Sequence, residues 1–220
     1  MKVAGYNPNS FIDYGDNIAA VVFTPGCNLR CRYCHNRGIL ENPPLFDEDE
    51  ILKKIARAAN FLDGVVISGG EPTLQEGLEE FVDKVRALGL KVKLDTNGLR
   101  PSVLAGLIER GKLDYIAMDI KAPIEKYPLI SPGADGSAAL SSIKLIMESG
   151  VDHEFRTTFY PELTPTDIEE IAKLIAGAKR YFLQQYNPTE FCKTPPHTKE
   201  MLNWAAGVAN KYVNTKVRGN

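Results

Sequence analysis

The chain has 220 residues, 44% hydrophobic and 25% charged, enough for a sizeable buried core and within the range of one ordinary domain, read as residues 1–220. Its 26 Lys and Arg against 28 Asp and Glu leave a formal net charge of -2 with no run of one sign, so no nucleic acid or anionic membrane is indicated as partner. The N-terminal segment lacks the apolar core of a signal peptide, and no stretch reaches the roughly 18 apolar residues of a membrane span, which predicts a cytoplasmic protein.

Along the chain, β-branched runs alternate with segments of helical period. Strands are predicted at 18–24, 64–68, 91–96, 115–120, 153–159 and 180–186. Three helix starts carry the capping-box pattern, in which two side chains satisfy orphan backbone N–H groups: Asp47 with Glu50, Thr73 with Glu76, and Thr166 with Glu169. Apolar stripes follow, such as Leu78, Phe81, Val82, Val85 and Leu88, or Ile168, Ile171, Leu174 and Ile175. Val65-Val66-Ile67 is apolar on both faces, as a parallel strand covered by helices must be, and the helices supply the crossovers that parallel pairing needs. The pattern is a (βα) unit repeated six times, compatible with a partial barrel or a doubly wound sheet. Both architectures place ligands at the carboxyl ends of the strands.

The first strand runs directly into Cys27, Cys31 and Cys34, spaced C-x3-C-x2-C, after the sharp exit that Pro25 and Gly26 permit. In a reducing compartment such a cluster indicates metal or redox work rather than a disulfide framework. Two centres compete. A structural zinc site would need a fourth ligand, His35 or Cys192, and would make the chain a noncatalytic zinc-binding module. A four-iron cluster on three thiols would leave one iron open, and open positions are where metal chemistry occurs.

The spacing at the end of a first strand resembles that of the radical S-adenosylmethionine (SAM) enzymes. The resemblance implies a partial (βα)6 TIM-like barrel. It also implies a [4Fe-4S] cluster on Cys27, Cys31 and Cys34, whose open iron chelates SAM for reductive cleavage to a 5′-deoxyadenosyl radical. Tyr33 matches the aromatic residue that lies beside the adenine. Gly69-Gly70-Glu71-Pro72, after the second strand, matches the segment that holds the methionine ammonium: two residues without Cβ let backbone carbonyls approach, and Glu71 offers an anionic acceptor.

The third strand ends Asp95-Thr96-Asn97 and the fourth Asp119-Ile120-Lys121, where Asp119 and Lys121 share a strand face. An ion pair that satisfies itself is the plain reading of those two. The resemblance adds Asp95, Asn97, Asp119 and Lys121 to the cofactor pocket and lets Asp95 and Asp119 hold a monovalent cation. On the fifth strand Glu154, Arg156 and Thr158 share a face, so Arg156 is expected either to meet the SAM carboxylate or to pair with Glu154. Of Gln184 and Gln185, which point to opposite faces, at most one faces the cavity. Cys192 stands alone as a free thiol, which argues against a second cluster.

Within the family, Cys34-His35-Asn36 and the opening Ser10-Phe11-Ile12-Asp13-Tyr14 resemble activases of glycyl radical enzymes. The nearest likeness is to the activating proteins of anaerobic ribonucleoside-triphosphate reductase and of pyruvate formate-lyase. There Pro-Gly usually follows the opening segment, whereas Gly15-Asp16 follows here. The resemblance implies an anaerobic oxidoreductase with a glycyl radical enzyme as protein substrate and flavodoxin or ferredoxin as electron donor. A radical SAM enzyme acting on a small molecule, such as a 7-carboxy-7-deazaguanine synthase, is the alternative. The long 122–136 connection is expected to help bind the partner.

Overall fold

The computed structural model describes residues 1–41 and 43–219. All six predicted strands form within a residue or two of their expected bounds: β2 (Ala19–Thr24), β3 (Gly64–Gly69), β4 (Lys91–Thr96), β5 (Tyr115–Asp119), β6 (Asp152–Phe159) and β7 (Tyr181–Gln185). Two further strands carry no clear signal. β1 (Gly5–Ser10) is polar and interrupted by Pro8, and β8 (Thr215–Arg218) is only four residues long. Sheet order follows chain order from β1 to β8. The helices are α1 (Gly38–Glu41), α2 (Glu48–Ala58), α3 (Leu78–Arg86), α4 (Pro101–Glu109), α5 (Tyr127–Ile130), α6 (Ser137–Glu148), α7 (Pro165–Leu174) and α8 (Lys199–Ala209). This is the α/β alternation of a partial (βα)6 fold, extended by one strand at each end of the order.

The chain divides into two compact units. The first comprises residues 1–28, 36–96 and 102–116. In it β1 lies antiparallel to β2, while β2, β3 and β4 run parallel. The β2–β3 register pairs Ala19 with Gly64 and Thr24 with Gly69, so both strands deliver their carboxyl ends at one level. Val21 and Val66 are buried between them and pack with Tyr14. Asp47 caps α2 by accepting from the Glu50 N–H at 2.9 Å. Thr73 starts no helix, because its hydroxyl is taken by Glu71 at 2.6 Å; α3 begins after Gly77, whose φ of +77° suits a residue without Cβ. Burial of Leu78, Phe81, Val82 and Val85 confirms the stripe on α3.

The second unit comprises residues 29–35, 97–101 and 117–220. Here β6, β7 and β8 pair in parallel. Thr164, rather than Thr166, caps α7: Pro165 fills the first helical position, and Thr164 and Asp167 exchange side-chain and backbone hydrogen bonds. Of the α7 stripe, Ile168, Ile171 and Ile175 are buried and Leu174 is exposed.

Candidate functional site

In the first unit, the exit from β2 and the turn after β3 are fastened to each other by backbone. Gly70 N–H donates to Thr24 C=O and Glu71 N–H to Gly26 C=O, both at 2.9 Å, while Gln75 Nε2 donates to Pro25 C=O at 2.7 Å. The two glycines are demanded by this contact. A Cβ on Gly70 would lie 1.8 Å from the Gly26 oxygen, and Gly69 combines a φ of +116° with a backbone neighbour 2.3 Å from where its Cβ would be. Asn36 Nδ2 donates to Gly69 C=O at 3.0 Å, tying the segment after the third cysteine to the same turn.

Glu71 is fully buried, and its Oε1 accepts from Thr73 N–H at 3.1 Å, Thr73 Oγ1 at 2.6 Å and Thr96 Oγ1 at 2.7 Å. Through this oxygen the carboxylate shapes the turn over Pro72–Leu74, in which Pro72 opens a short 3-10 helix.

Cys27, in this unit, is partly exposed with its thiol 3.8 Å from Asn28 Oδ1. Asp95, at the carboxyl end of β4, accepts from Ser68 Oγ at 3.2 Å and forms an ion pair with Lys93 Nζ at 3.2 Å. Lys93 is 3% exposed, and sequence reading passed over it although it precedes Asp95 by two residues on the same strand face.

The second unit gathers Cys31, Tyr33, Cys34, Asp119, Lys121 and Arg156. Residues 29–35 are clamped by the 122–136 connection: Arg32 N–H donates to Ile130 C=O at 3.0 Å and Arg30 N–H to Ser131 Oγ at 2.8 Å. Tyr127, Ile130 and Ser131 are buried there, so this part of the connection houses the cysteine segment, while Glu125, Lys126, Pro132 and Gly133 are exposed. Cys34 N–H closes a turn on Cys31 C=O at 3.1 Å.

Asp119 is held between two cations, accepting from Arg156 Nε at 2.7 Å and Lys121 Nζ at 3.0 Å. Although burial acts against ionisation, Arg156 first and Lys121 second hold the Asp119 carboxyl well below the usual carboxylate range. Burial likewise acts against the Lys121 charge, and Asp119 overrides it, so Lys121 stays an ammonium far above neutral pH. Burial pushes the Cys31 thiol up, and the positive charge of Lys121 offsets that rise only in part.

Of the two expectations for Arg156, the pair with Glu154 is present as a loose ion pair at 3.9 Å, on a carboxylate that Arg218 of β8 also holds in a two-pronged contact at 2.8 and 3.0 Å. The short contact of Arg156 is the one to Asp119. Gln184 pairs in register with Thr158, which puts it on the Arg156 face. Gln185 is pinned to Tyr186 C=O and His197 C=O at 3.3 and 3.2 Å.

Tyr33 is buried, its ring centroid 5.2 Å from that of Tyr160 and 6.2 Å from that of Tyr186, and its hydroxyl finds no hydrogen-bond partner. Tyr160 and Tyr186 gave no signal in the sequence. Asn97 is buried, with Oδ1 accepting from Leu99 N–H at 3.0 Å, so it shapes the turn after β4. Cys192 lies 3.6 Å from the Tyr160 hydroxyl, and His35 is exposed.

None of the four cysteines is in a disulfide; Cys27 belongs to one unit and Cys31 and Cys34 to the other. Among the described residues no group of three His, Cys, Asp or Glu side chains is drawn together as a metal site. The donor types nevertheless fit an iron-sulfur cluster: three thiols outside any disulfide, with a fixed ammonium acting on Cys31. The expected monovalent cation fits less well. Each carboxylate proposed for it already has a cation of its own, Lys93 for Asp95 and the Arg156–Lys121 pair for Asp119. Among the described residues no helix is long and apolar enough to cross a membrane.

Comparison with known proteins gives three findings. The family model described as the radical SAM superfamily matches residues 21–175. A Methanocaldococcus jannaschii protein, provisionally named a glycyl-radical enzyme activating enzyme, is 37% identical over 98% of this chain and 94% of its own length; a 7-carboxy-7-deazaguanine synthase of Hyperthermus butylicus is 44% identical over only 35% of this chain and 33% of its own. The crystal structure of Streptococcus suis SuiB bound to S-adenosylmethionine shares the fold, with a TM-score of 0.72 at 15% identity over 90% of this chain and 52% of that one.

Proposed function

We propose a function from one premise: this chain belongs to the radical SAM superfamily, whose model matches residues 21–175, and is a radical SAM enzyme that works with a [4Fe-4S] cluster and SAM. The reading is that it installs a glycyl radical on a partner enzyme, in the first place an anaerobic ribonucleoside-triphosphate reductase. The observation that carries it is the likeness to a provisionally named activating enzyme along almost the whole of both chains. The deazaguanine synthase likeness covers about a third of each chain and supports a shared core rather than a shared substrate.

In this reading Cys27, Cys31 and Cys34 hold the cluster, and Tyr33, Gly69, Gly70, Asp95, Asp119, Lys121 and Arg156 form the SAM pocket. When bound, cluster and SAM supply the electron and the 5′-deoxyadenosyl radical that takes a hydrogen atom from a glycine Cα. The chain's own groups set the conditions. Lys121 favours the thiolate form of Cys31, and Asp119 fixes both Lys121 and Arg156 so that neither needs to reorganise when a carboxylate arrives. Burial of Cys31 and Tyr33 keeps water from that part of the site. Gly69 and Gly70 allow a ligand to approach backbone, and Glu71 with Pro72 holds that turn in shape. A flavodoxin or ferredoxin would deliver the electron.

Two measurements test this. Anaerobically reconstituted protein should be brown and carry about four irons per chain, and Cys31→Ser should lose both. Incubated with SAM, reductant and the candidate reductase, it should produce a glycyl-type doublet in electron paramagnetic resonance of the partner. SAM cleavage that depends on a small molecule, with no radical on any protein, would replace the activase reading with the other.

A further inference from the structure

The Ser10–Tyr14 segment and Lys93 have no part in the function as stated, and the first unit joins them. Ser10 Oγ accepts from Ile12 N–H and Asp13 N–H, both at 3.3 Å, and donates to Asp13 Oδ2 at 2.6 Å, a local turn that fixes the Asp13 carbonyl. That carbonyl accepts from Lys93 Nζ. The same ammonium lies 3.2 Å from Asp95 Oδ1 and 5.6 Å from the centroid of the Tyr115 ring. Asp95 Oδ2 accepts from Ser68 Oγ at 3.2 Å.

A backbone carbonyl, a carboxylate and an aromatic face around a buried positive charge are the oxygen-rich surroundings that a sodium or potassium ion would seek. The ammonium already occupies them, and it is tethered from β4. A free cation within reach of Asp95 would meet the like charge of Lys93 at close range, in a place only 3% exposed at the lysine and 13% at the carboxylate.

We propose that Lys93 is a built-in cation: its ammonium takes the place beside Asp95 that an exchangeable monovalent ion would take, and makes the site independent of sodium and potassium. Lys93 is thus a positioning residue, holding Asp95 in place from an anchor on the Asp13 carbonyl. The sequence carries the arrangement twice with opposite polarity, Lys93-Leu94-Asp95 on β4 and Asp119-Ile120-Lys121 on and just after β5, and in both units the carboxylate is neutralised from within.

This inference rests on the reading of Asp95 as part of the SAM pocket, so the test separates the two. Thermal unfolding of the cluster-free full chain, in sodium, potassium or choline chloride at equal ionic strength, reads cation binding without SAM. The wild type should unfold at the same temperature in all three. Lys93→Met should be destabilised in choline and recover selectively with sodium or potassium, as a site binding only the folded state requires. In the reconstituted enzyme, equilibrium SAM affinity of the wild type should change by less than about twofold between the salts, and Lys93→Met should weaken by about tenfold in choline and regain affinity with sodium or potassium.

A wild type that loses SAM affinity when sodium and potassium are withdrawn overturns the proposal, as does a folded Lys93→Met that ignores the cation in both assays. Should Lys93→Met not fold, Lys93→Met with Asp95→Asn removes both charges, and an ion-specific stabilisation of that double variant would equally overturn it. Asp95→Asn with undiminished SAM affinity would remove Asp95 from the pocket while leaving the apoprotein result standing.

Discussion

Gly70→Ala tests how the cysteine exit is built. The new methyl carbon would lie 1.8 Å from the Gly26 carbonyl oxygen, 2.6 Å from its carbon and 3.2 Å from Leu40 Cδ2. The nearest obstacles are backbone, so no rotamer change relieves them; the two segments must part by roughly 1.5 Å to reach ordinary contact. That separation stretches the Glu71 N–H bond to Gly26 C=O and the Gly70 N–H bond to Thr24 C=O, each 2.9 Å in the native chain. Overpacking costs about 1–3 kcal/mol and each of the two weakened hydrogen bonds about 1 kcal/mol, so a loss of about 3–5 kcal/mol is expected. For a chain of this size that corresponds to a fall in Tm of roughly 6–20 °C. Calorimetry of the apoprotein reads the stability, and iron content after reconstitution reads the consequence, since Cys27 follows Gly26 directly. Gly70→Ala with native Tm and native iron content would refute the idea that these two turns must touch backbone to backbone.

Other outcomes follow from the same geometry. Arg156→Met leaves Asp119 with Lys121 alone and should cost about 3 kcal/mol by chemical denaturation at neutral pH. Because the Asp119 pKa is depressed on folding, its contribution is complete above the unfolded value of about 4 and is lost as pH falls below it; Asp119→Asn should flatten the acid limb of the stability profile. Thr96→Val removes one donor from the buried Glu71 carboxylate and should lower the denaturation midpoint by the equivalent of about 2 kcal/mol. The hydroxyls of Tyr186 and Tyr160 bring the Cys192 thiol down to about 7, so its alkylation rate in the reconstituted enzyme, followed by peptide mass spectrometry, should rise with a midpoint near there. Tyr160→Phe should move that midpoint upward.

The parallel strands were legible because their apolar runs are buried on both faces, and the cysteine loop and glycine turn because only certain residues can make a thiolate cluster or a backbone-to-backbone contact. β1 and β8 were not, since a polar edge strand and a four-residue strand take their definition from the neighbour they pair with. The same reason hid the short contact of Arg156: the expected pair with Glu154 forms only loosely, because Arg218 at the far end of the chain holds that carboxylate too, and Asp119 takes the Arg156 Nε. The local partners of Glu71 were hidden too: nothing in the sequence marks Thr73 and Thr96 as the donors to its Oε1. Lys93 was passed over because a lysine on a strand usually lies in solvent, and only the fold reveals a carbonyl, a carboxylate and a ring surrounding it.

The clamp on residues 29–35 bears on the order in which the molecule comes together during synthesis. Cys31 and Cys34 emerge early from the ribosome, yet Ile130 and Ser131, which bond Arg32 and Arg30 beside them, emerge some hundred residues later. Their surroundings are of high contact order, and a nascent chain carries that segment unhoused until most of it has been made. If these thiols hold the cluster as proposed, its protected loading would come late in folding, and a chain truncated ahead of Ile130 should retain no protected iron after reconstitution and desalting.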